Sequence, residues 1–122
     1  MSAVRTGLVP LVLVACFAQA ALAQPAPTTA GKRLFDARCG ICHGRGGTGS
    51  FMLAKRLGQD KALLAERSDL SADYVKAIVR NGILSMPGLT RGELADTELE
   101  VIAAYLERPA SERTARPVEA PK

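Results

Sequence analysis

Two cysteines and a histidine stand together in DARCGICHGRGGTGS, residues 36 to 50: Cys39 and Cys42 are separated by Gly40 and Ile41, and His43 follows directly. Thiols at this spacing serve three chemistries: dithiol exchange, zinc binding and covalent attachment of a haem. A thioredoxin-type dithiol sits after a strand in a βαβ setting, and nothing here shows the alternating polarity of a strand. A structural disulfide between Cys39 and Cys42 would close too short a loop to stabilise much. Zinc needs four ligands in a closed site. Beyond an N-terminal leader described below, the chain offers two Cys and one His, so the fourth would have to be a carboxylate, and no spacing supports one.

Covalent haem needs these residues and no others. The two thiols would add to the two vinyl groups of one porphyrin, and His43 would lie beneath the iron as an axial ligand. The sixth iron position is narrowed by elimination. His43 is the sole histidine, which leaves methionine, lysine, asparagine or an open site. Two methionines lie beyond the leader. Met52 follows His43 by nine residues, a reach of roughly 30 Å when fully extended, barely enough to pass round a porphyrin edge. Met86 is better placed, in the loop NGILSMPGL, where Pro87 keeps the backbone extended. Core packing is the competing role for that methionine. A thioether on the iron favours the reduced state and closes the metal to substrates, so such a site passes electrons.

Three helices must position these residues. TAGKRLFDAR, Thr29 to Arg38, places Leu34, Phe35 and Ala37 along a helix that runs into Cys39. SADYVKAIVRN, Ser71 to Asn81, carries a stripe of Tyr74, Val75, Ile78 and Val79. Ser71 caps it, Leu70 and Val75 form a hydrophobic staple, and Gly82 ends it. TELEVIAAYLER, Thr97 to Arg108, has Thr97 and Glu100 at capping-box spacing and Pro109 beyond its end, with Leu99, Ile102, Ala103 and Leu106 on one face. Residues 52 to 66 hold a short helix broken at Gly58, and loops run over 44 to 50 and 83 to 92. The expected fold class is all-α, three main helices with long loops around one haem.

The ends of the chain set its compartment. Residues 1 to 23 carry Arg5 and then an uncharged apolar run closing on Ala21, Leu22 and Ala23, the pattern of a signal peptide cut before Gln24. Leu13, Val14, Ala15 and Cys16 offer a competing lipoprotein signal, with Cys16 acylated and the protein membrane-anchored. Residues 24 to 30 and 109 to 122, rich in Pro, Ala and charge, read as a flexible N-terminal segment and C-terminal tail. The folding unit is then 31 to 108, small enough that a disulfide, metal or cofactor is expected, and there is no Trp to fill its core. Sixteen Lys and Arg against twelve Asp and Glu give a net charge of +4. Without an arginine-rich run or interleaved aromatics, nucleic acid is not the target. An acidic protein partner suits the surface better.

These residues resemble class I cytochromes c from Gly31 to Leu106. In that family a glycine and a phenylalanine four residues on mark the N-terminal helix, as Gly31 and Phe35 do here. An aliphatic residue and an aromatic three on, here Ile102 and Tyr105, mark the C-terminal helix that crosses it. The attachment motif matches Cys39 to His43, and R-N-G-x-x-x-M-P, Arg80 to Pro87, matches the distal methionine loop. YVKAIVRNGILSMPG is also similar to the small cytochrome subunits of flavocytochrome dehydrogenases that oxidise phenolic compounds. One departure stands out. The family places a proline soon after the histidine, whose carbonyl accepts the proton on the ligand's other ring nitrogen. Here Gly47-Thr48-Gly49-Ser50-Phe51 has none, so another carbonyl must orient His43.

The resemblance implies one haem c, tethered by Cys39 and Cys42, ligated by His43 and Met86, and walled by Leu34, Phe35, Tyr74, Ile78, Leu84, Pro87 and Ile102. It implies an electron-transfer protein without catalytic residues, exported to the periplasm, with redox proteins as partners: a dehydrogenase, a quinol-oxidising complex or a terminal oxidase. Arg45, Lys55 and Arg56 would ring the exposed haem edge. The alternatives are a dedicated subunit of a flavin- or quinone-dependent dehydrogenase, with Phe51, Met52 and Leu53 as its apolar contact, and a haem enzyme or gas sensor with an open iron site.

Overall fold

A computed structural model describes residues 27–114. The expected signal peptide, its expected cut before Gln24, Cys16 and the end of the tail therefore lie outside the described residues. Six α-helices follow in order: α1 Pro27–Arg38, α2 Gly40–His43, α3 Thr48–Leu57, α4 Ala72–Asn81, α5 Asp96–Glu107 and α6 Ala110–Thr114. Two single 3₁₀ turns, Gln59–Lys61 and Leu64–Glu66, join α3 to α4. No strand occurs among the described residues, only one isolated bridge between Ile83 and Met86.

The core is the crossing of α1 and α5. Phe35 and Tyr105 are both buried, with ring centroids 6.0 Å apart and planes tilted by 43°, an arrangement that adds to their area burial. Gly31 makes the crossing close: a Cβ there would lie 2.4 Å from Tyr105 Cβ and 3.2 Å from the Val101 carbonyl. Leu99, Ile102, Ala103 and Leu106 bury the rest of the α5 face, against Val75 and Val79 of α4. At the far end of the crossing, Arg38 donates to Glu98 at 2.7 Å.

The α4 signals act as expected. Ser71 Oγ accepts from the Tyr74 N–H at 3.2 Å, Leu70 and Val75 are buried, and Gly82 leaves the helix at φ 75°, a conformation that favours glycine. α5 differs from its expected start. It begins at Asp96 with Ala95 as N-cap, and Glu98, not Glu100, reaches back to accept from the Ala95 N–H at 3.2 Å. Alanine has no side-chain acceptor, so this is half a capping box, supported by Asp96 and Glu98 at the positive helix end.

Three stretches expected to be irregular are helical. Residues 27 and 28, ahead of the expected helix start at Thr29, belong to α1. α3 starts at Thr48, inside the expected glycine-rich loop, because its first turn packs against the end of α2: a Cβ on Gly47 would sit 2.3 Å from the Cys42 carbonyl. α6 occupies part of the expected tail, and its Arg113 is buried. The Arg113 guanidinium donates to the Leu106 carbonyl at the end of α5 and to the Arg67 carbonyl, and lies 5.7 Å from the centre of the Tyr105 ring.

Candidate cofactor site

The attachment motif is itself one helical turn. Cys42 and His43 both donate from their backbone N–H to the Cys39 carbonyl, at 3.1 and 2.9 Å, and Gly44 donates to Gly40 at 2.7 Å. The two thiols are free. They differ in setting: Cys39 is half-buried, while Cys42, one turn on, is exposed beside Ile41, itself 87% exposed. Burial, with the neighbouring Cys42 second, pushes the Cys39 thiol up to about 11.

A cleft of about 250 Å³ opens next to this turn. Cys39 lines it from just before α2 and His43 from α2, Phe35 from α1, Tyr74, Val75 and Ile78 from α4, Ile102 and Leu106 from α5, and Met86 from the loop after α4. Most of the lining is apolar, and Arg56 and Arg67 are its cationic members. Burial holds the His43 imidazole below its ordinary pKa, which favours the neutral form that can donate a lone pair to a metal. Its Nδ1 is buried without a hydrogen-bond partner, as is Ser50 Oγ nearby in the chain. Gly49 lies directly against that ring: a Cβ there would stand 3.0 Å from Nδ1 and 2.9 Å from Cε1.

The residues expected to form a haem pocket divide into two groups. Phe35, Tyr74, Ile78, Leu84 and Ile102 line the cleft, as do Cys39, His43 and Met86. Tyr74 and Leu84 do so from its mouth, 51% and 74% exposed. Leu34 and Pro87 do not line it. Leu34 packs instead against the core cluster, and Pro87 is exposed behind the turn that presents Met86. One wall lies outside the expected pocket set: Leu57 of α3, with Leu64 and Arg67 after it, beside Met52 and Leu53, which were expected at the haem edge. The helical spacing of Leu53 and Leu57 was its signal. Met52 thus shares the cleft with Met86, but it is 43% exposed, whereas Met86 is packed against the buried core.

An imidazole and a thioether brought to one apolar cleft, with a thiol on the same wall, fit an iron porphyrin. Residues 26–106 match the family described as "Cytochrome C oxidase, cbb3-type, subunit III". The chain is also 36% identical over 81 residues to a cytochrome c6 of Leptolyngbya boryana, a stretch covering 66% of this chain and 91% of that protein. The chain belongs to the class I cytochromes c. As such, the cytochrome holds one covalently attached haem c and carries electrons between redox proteins. No solved structure matches it. No helix among the described residues is long and apolar enough to cross a membrane.

Proposed function

We propose that the cytochrome works in the periplasm, taking single electrons from a dehydrogenase or quinol-oxidising complex and passing them to a terminal oxidase or similar acceptor. Cys39 and Cys42 would form the thioethers, and His43 and Met86 would ligate the iron. Haem c supplies a one-electron iron couple whose potential its ligands and surroundings tune. The observation that carries the reading is that His43 and Met86, 43 residues apart in the chain, meet at one apolar cleft. Burial favours the neutral form of His43, and the apolar walls disfavour the more charged oxidised state. Export rests on the apolar run at residues 1 to 23; acylation of Cys16 would add a membrane anchor.

Carbon monoxide binding to the reduced holoprotein at neutral pH tests the ligand set. Met86→Ala is expected to bind the gas rapidly, while the parent and Met52→Ala resist it. If Met52→Ala alone opened the iron, the sixth ligand would be Met52. Rapid, stoichiometric binding by the parent would make the site an open one, as in a haem enzyme or sensor.

A lasting complex with a flavin or quinone dehydrogenase is the second reading. Ile41, Phe51, Met52 and Leu84 are exposed near the cleft, and such a patch suits a permanent interface. Of the cations expected around it, Arg45 is already paired with Glu66 at 2.5 Å and Lys55 lies over the Phe51 ring at 4.8 Å. Purification from the native host at low ionic strength separates the two: a lone small cytochrome supports the free carrier, and a stoichiometric large subunit supports the complex.

A further inference from the structure

The loop that presents Met86 is closed by one arginine. Its tip is a two-residue turn in which Ile83 and Met86 exchange backbone hydrogen bonds of 3.0 and 2.9 Å. Leu84 in that turn has φ 53°, an uncommon conformation for a residue with a side chain. The two arms meet below the tip, where a Cβ on Gly88 would lie 2.6 Å from the Arg80 carbonyl. The entering arm is fixed by α4. The leaving arm, residues 87 to 95, is held to α4 by the Leu89 N–H on the Val79 carbonyl at 2.7 Å and by the Arg80 side chain.

Arg80 makes four contacts with that arm and its continuation. Nη1 donates to the carbonyls of Leu89 and Thr90 at 3.0 and 3.2 Å, and Nη2 to the Leu94 carbonyl at 2.9 Å and Asp96 Oδ1 at 2.6 Å. Its side chain is only 19% exposed. Asp96 also accepts from Arg91 Nε at 2.7 Å, so one carboxylate ties the arm to both arginines. Arg80 does not line the cleft. Its guanidinium instead adds four bonds to the few backbone bonds of this irregular segment, and a planar fork serving four acceptors is something a lysine cannot reproduce.

We infer that Arg80 is the positioning residue for Met86: by stitching the leaving arm to α4, it keeps the thioether sulfur at the iron and sets how often the sixth position opens. This rests on Met86 being the axial ligand. Loss of hydrogen bonds from a charged donor shifts a local opening equilibrium by about tenfold or more.

The test uses holoprotein variants Arg80→Gln, Arg80→Lys and Asp96→Asn, with Arg113→Gln as a control at the other end of α5. Two readouts are followed at neutral pH: the far-red absorption band of methionine sulfur on ferric haem, and the rate of carbon monoxide binding to the ferrous form. The Arg80 variants are expected to weaken the band and to bind the gas about tenfold faster, because binding waits on opening. Asp96→Asn moves both the same way by less, and Arg113→Gln lowers the melting temperature while leaving both unchanged. Folded Arg80 variants with the parent's band and rate overturn the inference. If Arg80→Gln fails to accumulate, Arg80→Lys and Asp96→Asn decide by the same criteria. A parent without the band removes Met86 from the iron and the inference with it, a result distinct from an intact band that ignores Arg80.

Discussion

His43 carries an obligation that its sequence neighbours do not reveal. Its Nδ1 is buried and unpartnered, and the residue against it is Gly49, whose missing side chain is what lets α3 approach the ring. Gly49→Ala is therefore expected to destabilise the holoprotein by about 1–3 kcal/mol, despite alanine's better helix propensity, as read by urea unfolding followed through haem absorbance. An unchanged or raised midpoint would mean that the ring is not held by this contact. Cys39, Cys42 and His43 stand out as the proposed attachment residues because three consecutive chemical requirements fall within five residues. The expected carbonyl on Nδ1 is not found, and this was not legible, because a run of glycines leaves the backbone there undetermined until α3 has packed against Cys42 and His43.

Among the helices, legibility followed the strength of local signals. α4 was read correctly to within a residue because its cap, staple and terminal glycine all agree. α3 was read late because Thr48, Gly49 and Ser50 are poor helix formers, and tertiary contact with α2 overrides them. α6 was missed because proline, alanine and charge look like a tail, and only the buried Arg113 shows otherwise. The α1–α5 crossing was recognisable from Gly31, Phe35, Ile102 and Tyr105, and it carries a sharp expectation. Gly31→Ala places a carbon 2.4 Å from Tyr105 Cβ, forcing the helices apart, and should cost about 1–3 kcal/mol. Thermal melts of the variant beside Ala30→Gly, which removes a side chain on the same helix, would show whether close approach or helix propensity dominates.

Across the molecule, charge is spent on short surface ties, some between neighbours in the chain and some, such as Arg38–Glu98 and Lys76–Glu100, between separate elements. Asp69 accepts from Arg67 at 2.8 Å and from Lys61 at 2.8 Å, and these two partners, Arg67 first, hold its carboxyl well below the usual carboxylate range. A depressed folded value means that the stabilisation is present above the ordinary value of 3.8 and lost as pH falls below it. Asp69→Asn should thus lower stability at pH 7 by at most about 1 kcal/mol, since the pair is partly exposed, with the difference from the parent closing toward pH 2. A gap that persisted in acid would assign the effect to packing. The buried Arg113 has a different kind of consequence. Because its turn seals the end of α5 and reaches back to the Arg67 carbonyl, trimming the polypeptide after Thr114 should be harmless, whereas trimming it after Arg108 should lower the melting temperature by several degrees. Anyone shortening this protein for crystals, or fusing a reporter to it, has a boundary to respect: Arg113 lies six positions past the last residue of α5.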